Sequence, residues 1–321
     1  MVARSKPNEI HITRVYDAPV ELVWEAWTDP EQVAKWWGPR GCTLTTHSKD
    51  LRPGGIWHYT MHGPDGTDYP NKTLYHEVEE KSKLVYDHGG YDDRPPLFRV
   101  TVLFISEGDK TRMEMTMAFP TAEEAAASKK FIKEVGGNST WDRLGEYLEK
   151  VSTGNEQFVI NRSFEAPREL VFDLWINPEH VAKWLPPAGF EMEYLRADIK
   201  RGGTTFFKVT NNADVTLYAR AEYLQIDRPD LIVYTQQFVD EHEQPGKHPH
   251  LDVWPPTLLT TVQFAAEREN ETRVTVTWVP IGEYTPAELQ AFVDLRSSMA
   301  MGWTGSFDKL EDLLGAMTAA G

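Results

Sequence analysis

The chain opens with Ile10, Ile12, Val15 and Tyr16 in imperfect alternation with polar residues across Glu9 to Tyr16, a pattern that predicts a strand. Ala18-Pro19 ends it. Leu22, Val23, Ala26 and Trp27 then share one stripe at helical spacing, and proline suits the first turn of such a helix because its missing N–H is not needed there. Asp29-Pro30 repeats the device, Asp29 as N-cap, and opens a second short helix ending near Trp36 and Gly38. From Thr43 the pattern changes to short alternating runs divided by turn signals, as in an antiparallel meander. Trp57, Tyr59 and Met61 share a face, and Gly63-Pro64-Asp65-Gly66 predicts a tight hairpin. Leu74, His76 and Val78 follow on one face, then Leu84, Tyr86 and His88, then Val100, Val102 and Phe104, then Met113, Met115, Met117 and Phe119. The helical signal returns from Thr121 through Leu148. The order predicts an α+β fold in which one long helix covers the apolar face of a curved sheet. Such a sheet is expected to leave a cavity against its helix.

The pattern then repeats. Ala18 to Trp37 reads APVELVWEAWTDPEQVAKWW and Ala166 to Leu185 reads APRELVFDLWINPEHVAKWL, identical at 12 of 20 positions at an offset of 148. Asn177-Pro178 therefore opens a helix as Asp29-Pro30 does. The same offset carries Gly54-Gly55 onto Gly202-Gly203, Val78 onto Ile226, and Leu84-Val85-Tyr86 onto Ile232-Val233-Tyr234. Val102-Leu103-Phe104 matches Val262-Gln263-Phe264 at an offset of 160, so twelve residues have entered, within Val239 to Pro256. The prolines of that stretch exclude regular structure. Farther on, Thr111-Arg112 matches Thr272-Arg273, and Asp142-Arg143-Leu144 matches Asp308-Lys309-Leu310. The expected domains are 8–151 and 156–317, joined by the small polar linker Ser152-Thr153-Gly154-Asn155. So short a linker suggests that the copies pack on each other as a pseudo-dimer.

Length agrees, since 321 residues exceed one ordinary core and suit two. Hydrophobic residues at 40% and charged residues at 26% describe a globular protein. No apolar run is long enough to span a membrane, and no apolar stretch follows Arg4 and Lys6 as a secretory signal requires, so a cytoplasmic location is the default. A net charge of −16 argues against a nucleic-acid surface. The single cysteine, Cys42, excludes an intrachain disulfide and a cysteine-based zinc site.

Three features carry a family resemblance: the motif A-P-x-E-x-V-[WF]-x-x-W-x-[DN]-P-E-x-[VL]-x-x-W-W, the strand starts Arg52-Pro53-Gly54-Gly55 and Lys200-Arg201-Gly202-Gly203, and the terminal D-[RK]-L helix. Together they resemble the heat-shock protein 90 ATPase activator homologue family, within the START-like (SRPBCC, birch pollen allergen type) superfamily. Each copy is similar to one such domain. The resemblance implies a helix-grip fold, with hydrophobic small molecules bound between sheet and helix, and makes a chaperone a candidate partner. The second copy departs from the motif, with Leu185 and then Pro186-Pro187 in place of the second tryptophan, so the two pockets need not share a ligand. The family takes its name from a co-chaperone carrying an additional chaperone-binding domain, and no such domain is visible here.

Candidate pocket residues are Trp57, Tyr59, Met61, His76, Tyr86, His88 and Met115 in the first copy, and Phe207, Tyr234, Gln236, Phe264 and Trp278 in the second. His76 and His88 fall on the apolar side of their strands with Tyr59 and Tyr86 if the alternation holds. A buried imidazole beside a phenol could serve as general acid or base, so His76 and Tyr86 are the candidates for an enzyme of the polyketide cyclase or aromatase type. A satisfied pocket-wall histidine is the plainer account. Offset 148 puts Leu224 and Gln236 in their places, so the histidine pair is not repeated. Trp24, Trp27, Trp36, Trp37, Trp175 and Trp184 have the spacing of core packing. Gly54-Gly55 and Gly202-Gly203 lack the strand-to-helix context of a phosphate loop and fit a bulge or tight turn. His242, His248 and His250, near Glu241 and Asp252, read as a solvated loop rather than a metal site. No cofactor is expected. The leading function is the binding of a hydrophobic or aromatic small molecule; a cyclase and a chaperone-stimulating interaction protein are the alternatives.

Overall fold

In the computed structural model, which describes residues 6–91, 94–134, 139–153, 157–187, 189–211, 215–248, 251 and 253–318, the chain divides into two units, Met1–Ser152 and Thr153–Gly321. The first unit runs β1 (Glu9–Tyr16), α1 (Val20–Thr28), α2 (Pro30–Val33), β2 (Thr43–Lys49), β3 (Ile56–His62), β4 (Asp68–Glu79), β5 (Lys83–Gly90), β6 (Phe98–Glu107), β7 (Lys110–Ala118), α3 (Ala122–Glu134) and α4 (Ser139–Thr153). The second repeats it with β8 (Phe158–Phe164), α5 (Arg168–Ile176), α6 (Pro178–Trp184), β9 (Phe190–Ala197), β10 (Thr204–Asn211), β11 (Thr216–Asp227), β12 (Leu231–Val239), β13 (Thr257–Arg268), β14 (Glu271–Ile281), α7 (Pro286–Asp294) and α8 (Arg296–Thr318). Each unit holds one antiparallel sheet of seven strands, ordered β1-β7-β6-β5-β4-β3-β2 and β8-β14-β13-β12-β11-β10-β9. The fold is α+β, a helix grip in two tandem copies.

The same local chemistry builds both. Asp29 accepts hydrogen bonds from the backbone N–H groups of Glu31 and Gln32, and Asn177 accepts one from Glu179, each capping a helix with proline at its first position. The indole of Trp36 donates to the carbonyl of Ala26 at 2.9 Å and that of Trp184 to Leu174 at 3.1 Å, fastening each short helix to the one before it. Thr111 and Thr272 donate to the carbonyls of Ala18 and Ala166 at 2.7 and 2.8 Å. Each tie links a sheet strand to the start of the helical segment.

The glycine pairs have a steric role. Gly54 lies at φ +80°, and a Cβ on Gly55 would stand 2.2 Å from the carbonyl oxygen of Asp50. Gly202 and Gly203 repeat this against Asp198, again at 2.2 Å. The tight turn lets Gly54 and Gly55 exchange backbone bonds with Tyr75, and Gly202 and Gly203 with Tyr223. It thus fixes the register of the strand that carries an inward tyrosine.

Two expectations need correction. The helical run from Thr121 to Leu148 is two helices, α3 and α4, and the four residues between them lie outside the described residues. In the second unit the break is visible. Thr285 and Glu288 form a reciprocal capping box at the start of α7, and α7 ends at Asp294, with Leu295 as its C-cap before α8 begins. The gripping helices present Trp141, Leu144 and Leu148 in one unit, and Trp303, Phe307, Leu310 and Leu314 in the other, to the sheet.

The second correction concerns β4. Tyr75 pairs with Tyr86 and Val78 with Leu84, but the ladder slips between Tyr75 and Glu77, so inward residues stand three apart instead of two. His76 therefore points to the outer face. There it meets Asp87 at 2.7 Å and Arg99 at 3.1 Å. β11 slips equivalently between Tyr223 and Gln225, leaving Leu224 exposed.

Candidate functional site

The first unit holds a cavity of about 210 Å³ between sheet and helices, open to solvent on one side. From the sheet, Tyr59 and Met61 on β3, Tyr86 and His88 on β5, and Met115 and Met117 on β7 face it. The α2–β2 connection supplies Trp37, Gly38 and Pro39, and the helical side supplies Phe131, Ile132 and Trp141. Arg143 on α4 fixes that connection by donating from one guanidinium nitrogen to the carbonyls of Gly38 and Pro39 at 2.8 and 2.9 Å. Lys309 makes the corresponding contacts to Pro186 and Pro187. Phe131 lines the cavity while 60% exposed, so an apolar ring stands where the cavity meets solvent.

Among the described residues, no Asp, Glu, Lys or Arg lines this space. His88 is its one imidazole. Its ring lies 5.0 Å from Phe98 and 6.4 Å from Trp37, centroid to centroid, and has no hydrogen-bond partner among the described residues. Burial lowers its pKa to about 4, so it is neutral at physiological pH. Burial also pushes the phenols of Tyr59 and Tyr86 well above their ordinary value, the side chains of Trp37 and Thr73 partly opposing this at Tyr59. The wall therefore offers uncharged hydrogen-bonding groups set in hydrocarbon, thioether and aromatic surface.

The second unit has a pocket of about 30 Å³, room for a water or two, in which Leu185, Phe207, Tyr234 and Gln236 take the positions of Trp37, Tyr59, Tyr86 and His88, and Trp175, Trp184 and Tyr223 supply walls the first cavity lacks. Elsewhere on its sheet larger side chains replace those of the first unit. The neighbours Ile10 and Met117 of the first unit are Phe158 and Trp278 in the second. Trp278 packs at 5.5 Å from Phe158 and 5.8 Å from Trp303, and Trp303 stacks on Trp175. Tyr194 packs on Phe207 at 5.7 Å, from the register position that Thr46 holds opposite Tyr59. Tyr194, Tyr223 and Tyr234 are all shifted upward by burial, Tyr223 to about 12.

Of the residues picked from the sequence, Tyr59, Met61, Tyr86, His88 and Met115 line the larger cavity, and Phe207, Tyr234 and Gln236 line the smaller one. Trp57 stacks behind Tyr59 at 4.2 Å and lines neither. Phe264 is core, against Phe172 and Trp175, and Trp278 fills space instead of bounding it. His76 lies on the opposite face of the sheet from Tyr86, so the His76 and Tyr86 pair is not assembled; the bulge in β4 is the reason. The tryptophan stripe is buried, with Trp37 doubling as cavity wall and Trp175 and Trp184 bounding the smaller pocket. Phe98 and Met117 escaped selection although the alternation placed Met117 on the inner face. In the insertion, His242 is exposed, His250 and Asp252 lie outside the described residues, and no group of three potential metal ligands occurs among the described residues.

Two helix grips in tandem, the first holding an apolar cavity, define the class of protein. Residues 17–149 and 165–315 both match the Activator of Hsp90 ATPase homolog 1-like protein family, and the chain belongs to it. Among solved structures, protein NE0264 from Nitrosomonas europaea is 24% identical, covering 46% of this chain and 98% of its own, at a TM-score of 0.43. A protein from Arthrobacter aurescens is 26% identical over 46% of this chain and 92% of its own, at 0.42. The di-domain ARO/CYC BexL from the BE-7585A biosynthetic pathway is 13% identical over 95% of this chain and 98% of its own, at 0.39. No curated protein matches the chain. Among the described residues, no helix is long and apolar enough to cross a membrane.

Proposed function

We propose that the protein binds an uncharged hydrophobic or aromatic small molecule in the cavity of its first unit, the second unit serving as a filled copy of the same scaffold. The carrying observation is the void of about 210 Å³ with apolar walls and no charged lining residue among those described. An apolar cavity of roughly 150 Å³ admits benzene, so one substituted ring or two fused rings is the size supported. A charged guest would lose its hydration without meeting a counter-ion. No arrangement among the described residues favours the cyclase or chaperone-stimulating reading over binding.

Met117→Trp tests this, because it brings the second unit's filling residue into the first. The wild-type chain is expected to gain thermal stability with small neutral arenes and to retain a hydrophobic guest in native mass spectrometry. The variant should lose both responses while staying folded. Equal ligand responses in the two proteins would place binding elsewhere and refute the proposal.

A further inference from the structure

We infer that the guest of the first unit is an arene carrying one hydroxyl group, with the His88 imidazole as the hydrogen-bond partner that recognises it. This rests on the reading that the cavity binds a small molecule, and adds the polar chemistry of that molecule.

Several observations support the inference. The His88 ring lines the cavity and is packed between Phe98 and Trp37 with no hydrogen-bond partner among the described residues. His88 is half-buried, so water reaches its ring nitrogens in the empty cavity, and a guest that displaces this water loses affinity unless it supplies the hydrogen bond itself. A neutral imidazole has one donor nitrogen and one acceptor nitrogen. A hydroxyl can serve either, accepting from the N–H or donating to the bare nitrogen, whereas a carbonyl can serve only the N–H.

Tyr59 and Tyr86 line the same space as neutral phenols able to donate to the hydroxyl oxygen, so the guest's group need not be left half satisfied. The remaining wall favours an aromatic body. Trp37, Phe98 and Trp141 offer ring faces and edges, and Met61, Met115 and Met117 offer thioethers suited to aromatic edges. Carboxylates are disfavoured by the absence of any lysine or arginine among the described lining residues. The second unit has Gln236 at the position of His88, beside the filled space.

The test titrates the full chain at neutral pH with 2-naphthol, naphthalene and 2-naphthoate, using calorimetry and ligand-observed NMR. One buried hydrogen bond should make 2-naphthol bind on the order of tenfold more tightly than naphthalene. 2-Naphthoate should not bind measurably. In His88→Leu the naphthol preference should vanish while naphthalene still binds; that retained binding shows the variant is folded, and His88→Phe gives a second reading of the same loss. Equal affinities for naphthol and naphthalene in the wild type, or a preference that survives in both variants, overturns the inference and leaves the cavity reading standing. Failure of all three probes to bind the wild type removes that reading and the inference with it.

Discussion

Phe158→Ile together with Trp278→Met gives the second unit the side-chain pair of the first, where Met117 lines the cavity and Ile10 packs against the core. The two substitutions remove ring volume beside Trp303, on which Trp278 now packs at 5.8 Å. If about 100 Å³ opens, the cavity costs roughly 2 to 3 kcal/mol at about 24 cal/mol per Å³. One gain opposes it. The Trp278 indole N–H is buried without a partner among the described residues, and removing it relieves about 1 kcal/mol. The net loss should be about 1 to 2 kcal/mol, lowering the melting of that unit by about 2 to 8 °C, as calorimetry of the full chain can read. Because the new walls are apolar, naphthalene should then bind at two sites per chain instead of one. An unchanged melting profile with a single binding site would refute the claim that these two residues account for the closed pocket.

Three further outcomes follow from the packing. The folded state resists protonation of His88, whose pKa falls from 6.5 to about 4, so wild-type stability should decline as pH drops from 6.5 to 4. The decline is at most about 3 kcal/mol, and His88→Leu should flatten that part of the pH–melting curve. Lys49 donates to the carbonyl of Trp27 at 2.9 Å with its ammonium over the Trp57 ring, and burial lowers its pKa to about 7. Its unfolded form holds a proton up to about pH 10.5, so stability should rise between pH 7 and 10; Lys49→Met should remove that rise, as melting across this range would show. Gly55→Ala and Gly203→Ala each force a Cβ to 2.2 Å from a backbone oxygen and should cost several kcal/mol in their own unit, measured by urea unfolding.

Repetition made the fold legible in the sequence. Helix starts at Asp29-Pro30 and Asn177-Pro178, the glycine pairs and the alternating strands each have a local cause, and each occurs twice. The helix break in α7–α8 lacked so plain a marker, because Leu295 carries no breaking residue type. The site was legible chiefly where alternation ran without interruption. Tyr59, Met61, Tyr86 and Met115 lie on regular stretches and line the cavity, and His88 lines it beside the register shift that the β4–β5 ladder makes between Lys72 and Leu74. His76 sits in the slip of β4 between Tyr75 and Glu77, an extra residue that no pattern of alternation announces. Matching Thr111-Arg112 to Thr272-Arg273 already set Met117 against Trp278, but whether an indole there bounds a space or fills it depends on neighbours the sequence does not rank.

The contrast between the two copies bears on why the first holds a cavity at all. Curvature of the sheet predicts a void on geometry alone, and the second unit, with the same strand order and the same ties from Trp184, Thr272, Lys309 and Gly202-Gly203, has a pocket of about 30 Å³ where Leu185, Phe207, Tyr234 and Gln236 replace Trp37, Tyr59, Tyr86 and His88. The space a grip leaves therefore depends on its side chains as well as on its curvature. The differences lie at both edges of the sheet: Phe158 for Ile10 and Trp278 for Met117 on β8 and β14, and Tyr194 for Thr46 on β9. Leaving the first cavity open forgoes several kcal/mol of packing in the first unit. His88, half-buried and without a hydrogen-bond partner among the described residues, turns an imidazole into the same cavity. An apolar space and a hydrogen-bonding ring in one place, both matched by a single guest of suitable shape, form the physical case that the open copy is the one that works.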